Sequence, residues 1–227
     1  MNPILEPIAE TLMLRGVIFD LDGVLVSTDE YHYRSWVRLC NEEAFTFFDR
    51  EFNHQFRGVG RMQCVHILLT AAGERYTPER QKEVAERKNR YFEESLATVT
   101  PECLLAGALE MLHALRERGV KIAVASNSRN AKTIIEKTRI GELLDVVVDG
   151  HDITNSKPDP EVFLLAAKRL GLPPAECLVV EDAVAGIVAA ERAGMRSLGV
   201  GTPEMLPNAT TIVRDLSEIT PDRLLAL

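Results

Sequence analysis

Apolar and polar positions follow two different rhythms along this chain. Residues 14–20 form a short apolar run rich in β-formers, and "KIAVAS", "LDVVVD", "CLVVED" and "MRSLGVG" repeat that texture beyond residue 120. Runs of this length and composition predict buried strands. From residue 104 onward strands alternate with helical patterns, which predicts a parallel sheet covered on both faces. Between residues 29 and 98 the strand texture vanishes. There "DEYHYRSWVRLC" sets Tyr33, Trp36, Val37 and Cys40 at helical spacing, and "TPERQKEVAERKNRYFEESL" opens with a Thr-Pro helix start. The pattern predicts an α/β core domain over 1–28 and 99–227, interrupted by a helical domain over 29–98. Hinges are expected at 26–30 and 97–103. The first strand must then join a sheet that the chain completes much later.

Composition narrows the partners. With 227 residues, 46% of them apolar, the chain can build a large core, and global disorder is excluded. A formal net charge of −8 argues against nucleic acid or an anionic membrane surface as partner. Any phosphate ligand would need local cations. Cys40, Cys64, Cys103 and Cys177 form no CxxC pair, as expected of reduced thiols. The start, "MNPILEPIAETLML", lacks the basic residues and long apolar run of a signal peptide. No stretch reaches the roughly 18 apolar residues of a membrane span. A soluble, cytoplasmic monomer is expected.

Ligands of open parallel sheets bind beyond the carboxyl ends of the strands. The polar residues at those ends are Asp20 and Asp22, then Ser126, Asn127 and Ser128, then Lys157 in "NSKPDP", then Glu181 and Asp182. Two carboxylates at about 4 Å repel by about 4 kcal/mol at an effective dielectric near 20. Four acids beside one lysine therefore call for a divalent cation, and oxygen-only ligands select Mg²⁺. Ser126 and the backbone after Asp22 can donate to phosphoryl oxygens, with Lys157 as a point charge. One aspartate can attack phosphorus while the other serves as general acid and base. Gly23 would let the chain turn so that both face one substrate.

Together, "FDLDGVL", "VASNS", "SKPDP" and "VVEDAVAGIVAAERAG" resemble the haloacid dehalogenase-like (HAD-like) superfamily over the whole chain. The resemblance implies a Rossmann-like parallel-sheet core with an inserted α-helical cap. It implies Asp20 as nucleophile, Asp22 as general acid/base, Ser126 as phosphate donor and Lys157 as charge clamp. Mg²⁺ would be held by the Asp20 side chain, the Asp22 backbone carbonyl and Asp182, supported by Glu181.

Within that superfamily the helical segment resembles the β-phosphoglucomutases. The matching residues are Thr28, His32 and Trp36 in "STDEYHYRSW", Arg57, Gly58, Val59 and Arg61 in "FNHQFRGVGR", and Lys88 and Asn89 in "ERKNRYF". That family interconverts β-glucose 1-phosphate and glucose 6-phosphate through β-glucose 1,6-bisphosphate, so sugar phosphates are the implied partners. Arg61 with Ser128 and Asn130 of "SNSRN" would hold the distal phosphate, and His32 and Lys88 would couple substrate binding to Asp22. Gly60 and Cys64 depart from the pattern by replacing hydroxyls, and Asn127 by replacing a small residue. Read alone, Trp36 would be helical core, Arg61 a solvated helix start and Lys88 an exposed helix face. The competing expectations are a Mg²⁺-dependent sugar-phosphate phosphatase and an idle binding module.

Overall fold

The computed structural model describes residues 13–56, 59–206, 209 and 211–227. Six strands form one parallel sheet: β1 (Gly16–Phe19), β2 (Lys121–Ala125), β3 (Val146–Val148), β4 (Cys177–Glu181), β5 (Arg196–Val200) and β6 (Thr211–Val213). Their order is β3-β2-β1-β4-β5-β6, so the first strand lies in the middle, between β2 and β4. Strand periodicity sorts the core into two layers. Val17 and Phe19, Ile122 and Val124, and Leu178 and Val180 face one side, against α5 (Ala108–Glu117), α6 (Ala131–Thr138) and α9 (Pro221–Leu225). Ile18, Ala123, Ala125 and Val179 face the other, against α7 (Glu161–Leu170) and α8 (Val184–Arg192). Burial on both faces is why these strands read as unbroken apolar runs.

Between β1 and β2 lie α1 (Asp29–Glu42), α2 (Arg50–Asn53), α3 (Arg61–Ala72) and α4 (Pro78–Ser95). They gather their own apolar cluster, with Trp36, Leu39, Phe45, Phe56, Val65, Leu68 and Val84 buried. Thr77 accepts the backbone N–H of Arg80 and Pro78 opens the helix, so the Thr-Pro start of α4 is a working N-cap. The chain leaves and re-enters the sheet domain side by side. Ser27 N–H donates to Cys103 O at 2.9 Å, and Leu105 N–H to Leu25 O at 2.9 Å. Among the described residues, no helix is long and apolar enough to cross a membrane.

Candidate active site

The carboxyl ends of β1, β2 and β4 meet the helical insert across one cavity. Asp20 follows β1 directly, its N–H still bonded to Val180 O at 2.9 Å. Two residues later the chain folds back, Gly23 N–H donating to Val26 O at 2.8 Å. Gly23 has φ +86°, a region costly to residues with a Cβ, and a Cβ there would fall 2.1 Å from Asp182 Oδ2. This turn carries Asp22 beside Asp20.

Lys157 is the cationic centre of the core half. Its Nζ donates to Asp20 Oδ1 at 2.5 Å, Glu181 Oε2 at 2.8 Å and Ala125 O at 3.1 Å, which uses all three ammonium protons. Burial alone would lower its pKa, but Asp20 and Glu181 hold it raised, so the lysine stays charged. Glu181 Oε1 accepts the backbone N–H groups of Asp182 and Ala183. Both Glu181 oxygens are therefore engaged within the protein. Its carboxyl is nonetheless pushed up to about 7, first by burial and then by the charge of Asp20 acting against Lys157. Asp22 rises to about 7 for similar reasons, burial first and Asp20 second, while a hydrogen bond from the Thr28 hydroxyl pulls the other way.

Burial raises both carboxyls first and the charge of Asp20 adds to it, so this is a buried acidic cluster that a divalent cation suits. Carboxylate oxygens of Asp20, Glu181 and Asp182 lie within 4.8 Å of one another. With oxygen donors only, the set fits a hard cation such as Mg²⁺.

The helical insert supplies the opposite wall. His32 Nδ1 lies 2.7 Å from Lys88 Nζ, and its ring stacks on Phe92 at 3.9 Å. Lys88 is 2% exposed, which overturns its reading as a surface residue. Burial first, then the charge of Arg61, lowers its pKa to about 7. Burial, followed by the charge of Lys88, drives His32 well below its ordinary range. Arg61 opens α3 and is itself lowered by burial and by Arg129 of the β2–α6 loop. Two neighbouring cations, one at a helix N-terminus, repel each other, and an anion between them would relieve that repulsion. Asn130 Nδ2 donates to Asn89 Oδ1 at 2.9 Å, tying the core loop to α4.

Most of the residues singled out from sequence share this cavity: Asp20, Asp22, His32, Trp36, Val59, Arg61, Lys88, Asn89, Ser126, Asn127, Ser128, Asn130, Lys157 and Asp182 all line it. Trp36 does so while also belonging to the insert's apolar cluster. Thr28 and Glu181 are buried and do not line the cavity, the first donating to Asp22 and the second bonded to Lys157. Asn127 Oδ1 accepts Lys157 N–H at 3.2 Å, so it braces the lysine's loop. Arg57 and Gly58 lie outside the described residues. Gly60 lies close to the core, where a Cβ would come within 2.4 Å of Ser156 Oγ.

Asp29, Asn53 and Phe56 also line the cavity, and Arg129 stands near Arg61. Sequence reasoning passed over all four. The available signal was "FNHQF", a polar residue among aromatics directly before "RGVGR".

The matched sequence family, haloacid dehalogenase-like hydrolase, spans residues 14–194, and the chain belongs to it, on the branch of the β-phosphoglucomutases. A β-phosphoglucomutase of Bacillus subtilis (strain 168) is 38% identical over 213 residues, 93% of this chain and 94% of that one. The crystal structure of a β-phosphoglucomutase from Clostridium difficile superposes with a TM-score of 0.87 at 33% identity, covering 92% of this chain and 95% of that one. A phosphorylated carbohydrates phosphatase of Thermotoga maritima is 30% identical over 82% of this chain and 84% of its own.

Proposed function

We propose that the chain is a phosphomutase that interconverts β-glucose 1-phosphate and glucose 6-phosphate through an aspartyl phosphate and β-glucose 1,6-bisphosphate, with residues 29–98 as a cap domain. The observation that carries this reading is one cavity lined by Asp20, Ser126 and Lys157 of the sheet domain and by Arg61 of the insert, together with Ser128 and Asn130. In this reading the first three serve the transferring phosphate, and Arg61, Ser128 and Asn130 the distal one. A phosphatase of monophosphates has no need of a second phosphate site, whereas a mutase must hold both ends of a bisphosphate.

Asp20 attacks phosphorus as the bond from phosphorus to the sugar oxygen breaks, and Asp22 delivers its proton to that oxygen. In the second half the incoming sugar hydroxyl gives its proton to Asp22 as the phosphoryl group leaves Asp20. A carboxyl pushed up to about 7 holds both protonation states at neutral pH, as this alternation requires. Ser126 donates to the phosphoryl oxygens. Lys157 acts on them as a fixed point charge, because its protons are held by Asp20, Glu181 and Ala125 O. Arg61 anchors the far phosphate with guanidinium geometry suited to it. Asp20 and Asp182 would hold Mg²⁺ with Glu181 as brace, and the bound ion offsets charge on the transferring group. Lys88 and His32 link the cap wall to Asp22. Closure of the cap excludes water, so the phosphoenzyme waits for a sugar.

The test supplies β-glucose 1-phosphate, Mg²⁺ and a trace of the bisphosphate, and follows glucose 6-phosphate and free phosphate in one tube. Rapid glucose 6-phosphate with little free phosphate is the expected result. Free phosphate in step with substrate loss would replace the mutase by a sugar-phosphate phosphatase, the second reading, which the 30% identity to the Thermotoga maritima enzyme favours.

A further inference from the structure

Asn53 closes the short helix α2 and lines the cavity beside Trp36 and Phe56. Its Oδ1 is buried and has no hydrogen-bond partner. Two other buried side-chain atoms among the described residues lack a hydrogen bond, Arg87 Nε and Asp149 Oδ2. Both belong to groups held in ion pairs, Arg87 with Glu83 and Asp149 with Lys132. Asn53 has no such compensation. An unpaired buried carbonyl is costly, and it persists where something outside the fold completes it.

The chemistry of that missing partner is constrained. A carboxamide oxygen only accepts, so it cannot be answered by a phosphate dianion, which also only accepts. Its surroundings are aromatic, with the Trp36 and Phe56 rings 4.9 Å apart, a wall suited to the C–H face of a sugar. A neutral O–H donor on the carbon skeleton of a sugar phosphate meets these conditions.

We propose that Asn53 is a specificity-determining residue whose Oδ1 accepts a hydrogen bond from one ring hydroxyl of the bound sugar phosphate. This inference rests on the sugar-phosphate reading above. It adds that the helical wall selects the sugar by hydroxyl position as well as by phosphate spacing.

The test uses the full chain with Mg²⁺ and no phosphoryl donor, and reads equilibrium binding by calorimetry. The ligands are glucose 6-phosphate and its 2-, 3- and 4-deoxy and deoxyfluoro counterparts. In the wild type, loss of the hydroxyl at one ring position should weaken binding by about 10- to 100-fold, since a buried acceptor left unpaired loses about 1–3 kcal/mol. Deoxy and deoxyfluoro compounds should lose equally there, because fluorine cannot donate. Asn53→Leu should weaken glucose 6-phosphate by the same factor and level the series. Its thermal midpoint should stay or rise, because replacing an unpaired acceptor by apolar atoms leaves no donor unsatisfied. A residue with a purely structural role would instead lower the midpoint on substitution. Should Asn53→Leu fail to fold, Asn53→Ser reads the same series, and the wild-type series needs no variant.

A flat wild-type series, a dip that Asn53→Leu retains, or a deoxyfluoro compound that binds as well as its parent each overturns the assignment. Hexose phosphates that do not bind at all overturn the sugar-phosphate reading, and this one with it.

Discussion

Thr28 occupies the N-cap position of α1, yet its hydroxyl caps nothing, because it donates to Asp22. That bond holds the Asp22 carboxyl below where burial and Asp20 alone would place it. Thr28→Val should therefore move Asp22 further up. Asp22 must be ionised to take the proton of an incoming sugar hydroxyl, so the rising limb for transfer from phosphoenzyme to glucose 6-phosphate should shift to higher pH. A pH profile of phosphoenzyme discharge checks this, and an unmoved limb would remove the coupling. Lys88 offers a stability counterpart. Its pKa falls from an ordinary 10.5 to about 7 on folding, so between those values the unfolded chain binds more protons and stability rises with pH. Below 7 the folded state bears the full penalty. The thermal midpoint of Lys88→Met relative to wild type should then be most favourable below pH 7 and decline toward pH 10.

At the scale of elements, the turn after β1 depends on one glycine. Gly23→Ala puts a Cβ on the Asp182 carboxylate and costs about 1–2 kcal/mol for the left-handed backbone alone. The expected outcome is a lower thermal midpoint and a higher Mg²⁺ concentration for half-maximal activity; an unchanged Mg²⁺ response would separate the turn from the acidic cluster. β1, β2 and β4 were legible from sequence because burial on both faces makes their apolar runs continuous. β3 and β5 were legible because Val146–Val148 and residues 198–200 are still apolar stretches between turn residues. Of these strands β3 is shortest, three residues within "LDVVVD". β6 was not legible: Thr211, Ile212 and Val213 form a three-residue edge, each only half buried, so no run stands out. The four-residue helix α2 is too short to show a helical period, which is why Asn53 went unnoticed. Core site residues announced themselves by standing at successive strand ends. Lys88 in the insert did not, since a charge-rich helix hides which of its lysines points inward.

Over the whole molecule, an acidic chain sets three cations, Arg61, Lys88 and Lys157, around one cavity. If Arg61 holds a distal phosphate, Arg61→Ala should cut turnover of β-glucose 1-phosphate by about 10- to 100-fold, the worth of a charge-assisted hydrogen bond. Acetyl phosphate, which has no far end, should be hydrolysed at nearly the original rate. Equal losses on both would take Arg61 out of that role. The sheet order has a consequence of another kind, in biosynthesis. β1 ends at Phe19, but its neighbours begin only at Lys121 and Cys177. At ribosomal rates of roughly 5–20 residues per second, the first neighbour follows about 5–20 s later. The insert's apolar cluster spans only residues 36 to 85 and can close in that interval. Meanwhile the apolar strand leading to Asp20 remains unpaired, so the nascent chain is most open to misassociation at the segment that later forms the centre of its sheet.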